Sequence, residues 1–217
     1  MSKALIDTDV LLKTASYKLL KQLLALAPFE SKEFGMIAAA QFVVTGKLKK
    51  KLKEPRLAEA KAHFQEAMSV IAAIEPRSEE LALAAELESA AVAMGVELDL
   101  GESQICALMV SREMNLMMTG DKRAIRAIAA LKEHTACAYA HGKVACLEQL
   151  ALWMIACAGL DAVQPSVCVL PAVDTSLTMA LGCYSGGASL GSCHEGLTSY
   201  INSIQTEAPS VLIDYPT

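Results

Sequence analysis

The segment Ala4-Leu5-Ile6-Asp7-Thr8-Asp9-Val10-Leu11-Leu12 constrains the fold more than any other stretch of the chain. Its first three residues are apolar without alternation, as expected of a strand buried on both faces. Two aspartates follow at once, and then apolar residues recur at helical spacing. A short strand of this kind leading straight into a helix belongs to a parallel sheet covered by helices, where ligands gather at the C-terminal ends of the strands. Asp7 and Asp9 would lie at that edge. Two carboxylates held there repel unless a cation or a proton sits between them.

The rest of the chain repeats the strand-then-helix alternation. Residues Val10 to Leu26 carry a helical apolar stripe, and Phe34 to Ala38 read as a second strand feeding a helix through Phe42 and Val43. Pro55 ends that helix. Residues Leu57 to Ile74 and Glu79 to Met94 are expected to form two Ala- and Glu-rich helices paired as an antiparallel hairpin, with Ser78 as N-cap and Gly95 as stop. A helix opening at Asp99, a strand from Asn115 to Thr119, and a helix from Asp121 to about Glu133 follow. The pattern continues with a strand over Ala136 to Ala140 and a helix over Lys143 to Ala158. Beyond Gly159, prolines and a glycine cluster weaken the periodicity, so the tail is expected to be helical and without a second core.

With 53% hydrophobic residues in 217, the chain can fill one large core, and global disorder is excluded. A net charge of −5 excludes a basic nucleic-acid binder overall and leaves a local basic patch open. The seven cysteines contain no CxxC pair, and most sit in apolar patterns, so they read as reduced core residues. No signal peptide is evident, and the longest apolar run, Leu150 to Leu160, is too short for a bilayer. The expectation is a cytoplasmic protein with no membrane partner.

Acids recur at the predicted strand ends and helix starts: Asp7 and Asp9, Asp99 and Glu102, and Asp121. In a parallel sheet these share one edge. Hydrolysis with hard divalent metals uses such a set, because Mg²⁺ prefers oxygen ligands and is held by a few carboxylates plus water and phosphate. Each acid also has a local explanation. Asp99 and Glu102 have the spacing of a capping box, and Asp121 is an ordinary helix start.

The order and spacing of these residues resemble the PIN-domain ribonucleases. Ile6-Asp7-Thr8-Asp9-Val10-Leu11-Leu12 is similar to the family's opening strand. Asp99-Leu100-Gly101-Glu102 resembles the D-x-G-E opening of a later helix, and Thr119-Gly120-Asp121 falls nineteen positions after Glu102, as Thr-x-Asp does in the family. The resemblance spans roughly residues 3 to 155. It implies a three-layer α/β/α fold with a mostly parallel sheet over residues 1–158. A helical hairpin insertion at 57–94 and a helical C-terminal extension at 159–217, packed on the core, lengthen the usual compact form.

The activity it implies is hydrolysis of RNA with Mg²⁺ or Mn²⁺. Asp7, Glu102 and Asp121 would be catalytic metal ligands, with Asp9 and Asp99 in support. The partners implied are an RNA substrate, with an inhibitory protein and a homodimer also within the family's range. Lys49, Lys50, Lys53 and Arg123 are the candidate RNA contacts, the lysines within a run of six cations between Lys47 and Arg56. A solvated helix face also accounts for that run. One departure matters: the family places a Glu on the helix after the second strand, and this chain offers Gln41, which carries no charge.

Two other classes remain. A catalytically degenerate PIN-like binding or assembly module keeps the fold without the chemistry. The run Asp7-Thr8-Asp9-Val10 also resembles the first motif of haloacid-dehalogenase-type phosphatases, with Asp7 as nucleophile, but no second acid follows Gly120-Asp121 at three or four positions. Scattered histidines, the lack of a nucleophile elbow and the absence of phosphate-binding glycine motifs exclude triad and nucleotide-fold chemistries.

Overall fold

The computed structural model describes residues 3–26 and 33–214; residues 1, 2 and 215–217, the outer ends of the two expected units, lie outside them, as do residues 27–32. Five short strands form one all-parallel sheet: β1 (Ala4–Ile6), β2 (Phe34–Ile37), β3 (Ala72–Ile74), β4 (Leu116–Thr119) and β5 (Val144–Cys146), in the order β3-β2-β1-β4-β5. Leu5 pairs with Gly35 on one side and Met117 on the other, which makes β1 central. The protein is therefore of the α/β class, with helices flanking the sheet.

The pleat explains the absence of apolar alternation. Ala4, Ile6, Phe34, Met36, Leu116, Met118 and Ala145 point into one apolar core. Leu5, Ile37, Ile74, Met117, Val144 and Cys146 point into the other. The inner strands β1, β2 and β4 are buried at every position because both of their faces are covered, whereas Ala72 and Ala73 of the edge strand β3 are exposed. The first core is built with helices α1 (Thr8–Ser16), α2 (Leu20–Leu24), α3 (Ala40–Lys51), α4 (Arg56–Met68) and α9 (Leu147–Ala158). The second is built with α5 (Ser78–Met94), α6 (Leu100–Ser111), α7 (Lys122–Ala130) and α8 (Thr135–Ala140).

Several expectations need correction. The continuous helix over Val10 to Leu26 is broken into α1 and α2 at Lys18, whose φ is +59°. The expected hairpin over 57–94 does not form. Ala72-Ala73-Ile74 between its two helices is the edge strand β3, and the helices lie on opposite faces, with Phe64 of α4 in one core and Leu87 of α5 in the other. Apolar stripes alone could not tell a partner helix from a sheet. Arg77, not Ser78, is the N-cap of α5, while Gly95 ends that helix in the left-handed conformation that glycine favours. Residues Ala136 to Ala140 are helical, and the last strand is Val144–Cys146, inside the helix expected from Lys143. Cys168 and Cys183 form a disulfide, so those two cysteines are not reduced.

The C-terminal segment comprises α10 (Leu160–Cys168), α11 (Thr175–Ala180) and α12 (Leu190–Glu207). It has no core of its own. Val163, Val167, Leu177 and Leu197 join the first core, and Ile201 and Ile204 join the second, so α12 wraps the β5 edge of the sheet. Val144 and Leu212 form a parallel bridge there, and Ile213 donates its N–H to the Val144 carbonyl at 2.8 Å. This pairing covers an edge that would otherwise offer unpaired backbone groups. Among the described residues, no helix is long and apolar enough to cross a membrane.

Candidate functional site

The chain runs outward from β1 to β2 and β3, then crosses to β4 and β5 on the other side of β1. The strand order reverses between β1 and β4, and at such a switch point the flanking helices diverge and leave a crevice at the C-terminal edge. Asp7 ends β1 and caps α1, with its carboxylate accepting the Thr8 N–H at 2.6 Å. Thr119 ends β4. Its hydroxyl donates to Asp7 Oδ2 at 3.3 Å and accepts the Asp121 N–H at 3.1 Å, so one buried side chain ties the two strand ends together.

Asp99 and Glu102 form the expected capping box on α6. Asp99 Oδ1 accepts the Glu102 N–H at 3.1 Å, and Glu102 Oε2 accepts the Asp99 N–H at 2.9 Å. The cap also turns Glu102 inward, where it is 6% exposed and among the few buried charged residues. Asp121 caps α7, accepting the Arg123 N–H at 2.8 Å. Asp99, Glu102 and Asp121 line one cavity of about 280 Å³ together with Val96, Glu97, Leu98 and Arg123.

The electrostatics of this group are uneven. Burial pushes the Asp7 carboxyl up to about 6, and the Asp9 charge adds to it. Burial also pushes Glu102 up, to about 8, helped by the charges of Asp99, Asp121 and Asp7 and opposed by the Asp99 hydrogen bond. Burial works in the same direction on Asp121, but the Arg123 hydrogen bonds overcome it and hold Asp121 below the usual carboxylate value. Arg123 lies across the rim, 2.8 Å from Asp121 Oδ2 and 3.0 Å from Glu97 Oε2. Asp7 and Glu102 have no cationic partner among the described residues.

Asp9 goes elsewhere. Its Oδ2 pairs with Lys13 Nζ at 2.6 Å, and the same ammonium pairs with Asp174 at 2.8 Å. Asp9 also packs against the β4–α7 turn, where a Cβ on Gly120 would collide with its carboxylate. Close approach is thus the reason for glycine between Thr119 and Asp121. Gln41 is half-buried in the first turn of α3 and is not among the residues lining the acidic cavity. Lys49 and Lys50 are exposed in the last turn of α3, roughly 12–14 Å along the helix axis from Gln41, and Lys53 is exposed just beyond that helix. The structure brings Arg123 to the acids and leaves these lysines away from the C-terminal end of β2. None of the three has an ion-pair partner among the described residues.

Sequence reasoning missed Glu97, Lys13, Asp174 and Glu148. Glu148, 2% exposed and paired with Lys122 at 2.7 Å, stands just after β5 as Asp7 stands just after β1. The same rule of an acid after a strand would have found it had β5 been placed correctly. Asp174 lies in the proline- and glycine-rich tail, where no periodicity marks it.

Asp99, Glu102 and Asp121 line the cavity, while Asp7 is not among its lining residues and acts on Glu102 through its charge; all four offer carboxylate oxygens, the chemistry of a hard divalent cation. Among the described residues, no three or more His, Cys, Asp or Glu side chains are already arranged to hold a metal ion. Two of the acids are nevertheless buried at the cost of raised proton affinity, and a cation would relieve that cost. In donor chemistry, though not in an arrangement already formed, the residues suit such an ion. In comparisons with family models, curated proteins and solved structures, nothing matches this chain.

Proposed function

We propose that the acidic cavity at the β1/β4 switch point holds Mg²⁺ or Mn²⁺ and that the protein is a metal-dependent ribonuclease of PIN-like type. The observation that carries this reading is the buried pair Asp7 and Glu102, two carboxylates without a cation of their own, beside Asp99 and Asp121. A bound divalent cation supplies charge neutralisation and a lowered pKa for water in contact with it. The remaining roles fall to the chain. Thr119 fixes the Asp7 carboxylate, the Asp99 cap fixes Glu102, and Arg123 at the rim is placed to exchange its carboxylate partners for an RNA phosphate. Cation binding must displace the protons that burial places on Asp7 and Glu102, so affinity rises with pH.

A second reading rests on Arg123 and Gln41. The guanidinium bridging Asp121 and Glu97 is a cation supplied by the chain itself, and Gln41 adds no charge where the PIN pattern has Glu. On that reading the protein is a PIN-like binding or assembly module. Cleavage of RNA with Mn²⁺, compared between the wild type and Asp7→Asn, separates the two. Metal-dependent cleavage lost in the variant supports the nuclease; equal background in both supports the module.

A further inference from the structure

The residues around Lys13 and Lys122 form a second constellation at the same sheet edge, and the acidic cavity does not use them. Lys13 Nζ is shared between Asp9 of α1 and Asp174, with side-chain exposures of only 13% for Lys13 and 12% for Asp174. Asp174 divides its oxygens: Oδ1 accepts the Leu177 N–H at 2.9 Å and caps α11, while Oδ2 meets Lys13. Two residues later Ser176 accepts from Lys122 Nζ at 2.8 Å. Lys122 opens α7, pairs with buried Glu148, and lies over the Tyr200 ring of α12, 5.0 Å from its centroid. Two lysines, one after β1 and one after β4, therefore grip the same three-residue stretch of the C-terminal segment.

We propose that residues 171–181 are a strap latched over the β1/β4 edge by Lys13 and Lys122, and that Asp174 is a positioning residue that shares Lys13 with Asp9 and so sets how firmly Asp9 is held out of the acidic cavity's ligand set. The local chemistry gives the reason. Asp9 follows Asp7 by two residues and presses on Gly120, next to Asp121. Freed from Lys13 it is one more oxygen donor beside the cavity; held by Lys13 it is neutralised. Because one ammonium serves two carboxylates, Asp174 competes with Asp9 for Lys13, and releasing the strap leaves Lys13 wholly to Asp9. Sequence distance is no obstacle, because α10 and the turn before Asp174 return the chain to the edge it left at Thr119. The strap's effect on a bound cation rests on the reading above; the latch itself does not.

The test uses the full chain and Asp174→Asn, which keeps an oxygen for the α11 cap and removes the charge facing Lys13. Asp161→Asn in α10 is the control. Two readouts contain no metal: amide hydrogen exchange over 173–181, and carbodiimide labelling of the Asp9 carboxylate followed by mass spectrometry. Exchange at least tenfold faster in the strap, with β4 amides unchanged, and labelling of Asp9 severalfold slower, because Lys13 is then left to Asp9 alone, are expected. Wild-type values for either readout in Asp174→Asn overturn the proposal. Should β4 amides also accelerate, the core has been lost. Ser176→Ala, which removes only the Lys122 contact to the strap, then decides by exchange alone, with faster exchange over 173–181 supporting the strap and no change overturning it. Mn²⁺ titration of the wild type runs alongside. A wild type that binds no Mn²⁺ overturns the cation reading of the cavity and leaves the strap standing.

Discussion

Around Lys13 and Lys122, the buried carboxylate of Glu148 and the partly buried ones of Asp174 and Asp9 are each met by an ammonium within 2.8 Å. Around Glu102, at the same edge of the same sheet, Asp7 and Glu102 are buried as deeply and meet only hydrogen-bond donors, while the nearby guanidinium of Arg123 stays at the rim. Burying an ion is expensive, and the first region offsets that cost within the chain. The second does not, and burial raises the proton affinity of Asp7 and Glu102 instead. A fold that neutralises one set of carboxylates and leaves the adjacent set short of charge has left room for a cation from outside.

The sharpest way to break this contrast is to remove a carboxylate from the uncompensated side. Asp7→Asn and Glu102→Gln are each expected to lower Mn²⁺-dependent RNA cleavage by roughly 100-fold or more, read as initial rates on a single-stranded substrate. A cleaving Asp7→Asn protein would place the chemistry elsewhere.

On the compensated side the large effect is on stability. Lys13→Met strands Asp9 and Asp174 without a cation and should cost about 3 kcal/mol, measured by urea unfolding. Adding Asp174→Asn to Lys13→Met should recover part of that loss, because one of the stranded charges is gone. A double variant no more stable than Lys13→Met would show that packing, not charge, dominates there.

The pH dependence separates the two sides further. Asp7 titrates near 6 in the folded protein against an ordinary 3.8. The folded state therefore binds this proton more tightly than the unfolded chain, and the stability linked to it is complete below about pH 4 and lost as pH rises through 6. The loss is of the order of 3 kcal/mol at most. Asp7→Asn should flatten the fall of the urea midpoint between pH 4.5 and 7.5, and Mn²⁺ should raise the midpoint at pH 7.5 in the wild type more than in the variant. A wild-type midpoint that rises over this range would contradict the Asp7 assignment.

The smallest effect belongs to Arg123. Its ion pairs are at the surface, with a side-chain exposure of 66%, so Arg123→Gln should leave the urea midpoint almost unchanged. The same change removes a competitor for Asp121 and should tighten Mn²⁺ binding severalfold by titration. If the guanidinium instead completes a metal-free module, the variant will bind no more Mn²⁺ than the wild type.

What could be read in the sequence was local. Ala4-Leu5-Ile6 followed by Asp7, the Asp99/Glu102 box and the Asp121 cap each depend on neighbours within four residues, and each appears where expected. Failures occurred where a local pattern had two tertiary solutions. Ala72-Ala73-Ile74 and Val144-Ala145-Cys146 are three-residue strands without turn signals on both sides, and their identity comes from pairing with β2 and β4. The Cys168–Cys183 bond likewise depends on how the tail folds back.

By itself, the sequence determined an α/β protein with acids at strand ends, because burial on both faces writes itself as unbroken apolar runs and because caps are short-range. Only the tertiary structure decided which acids share a cavity. Asp9, the near neighbour of Asp7, was drawn away by Lys13, which it shares with an aspartate 165 positions further on. Glu102 was brought in from across the sheet. Charge compensation acts through space, and the chain order carries no record of it.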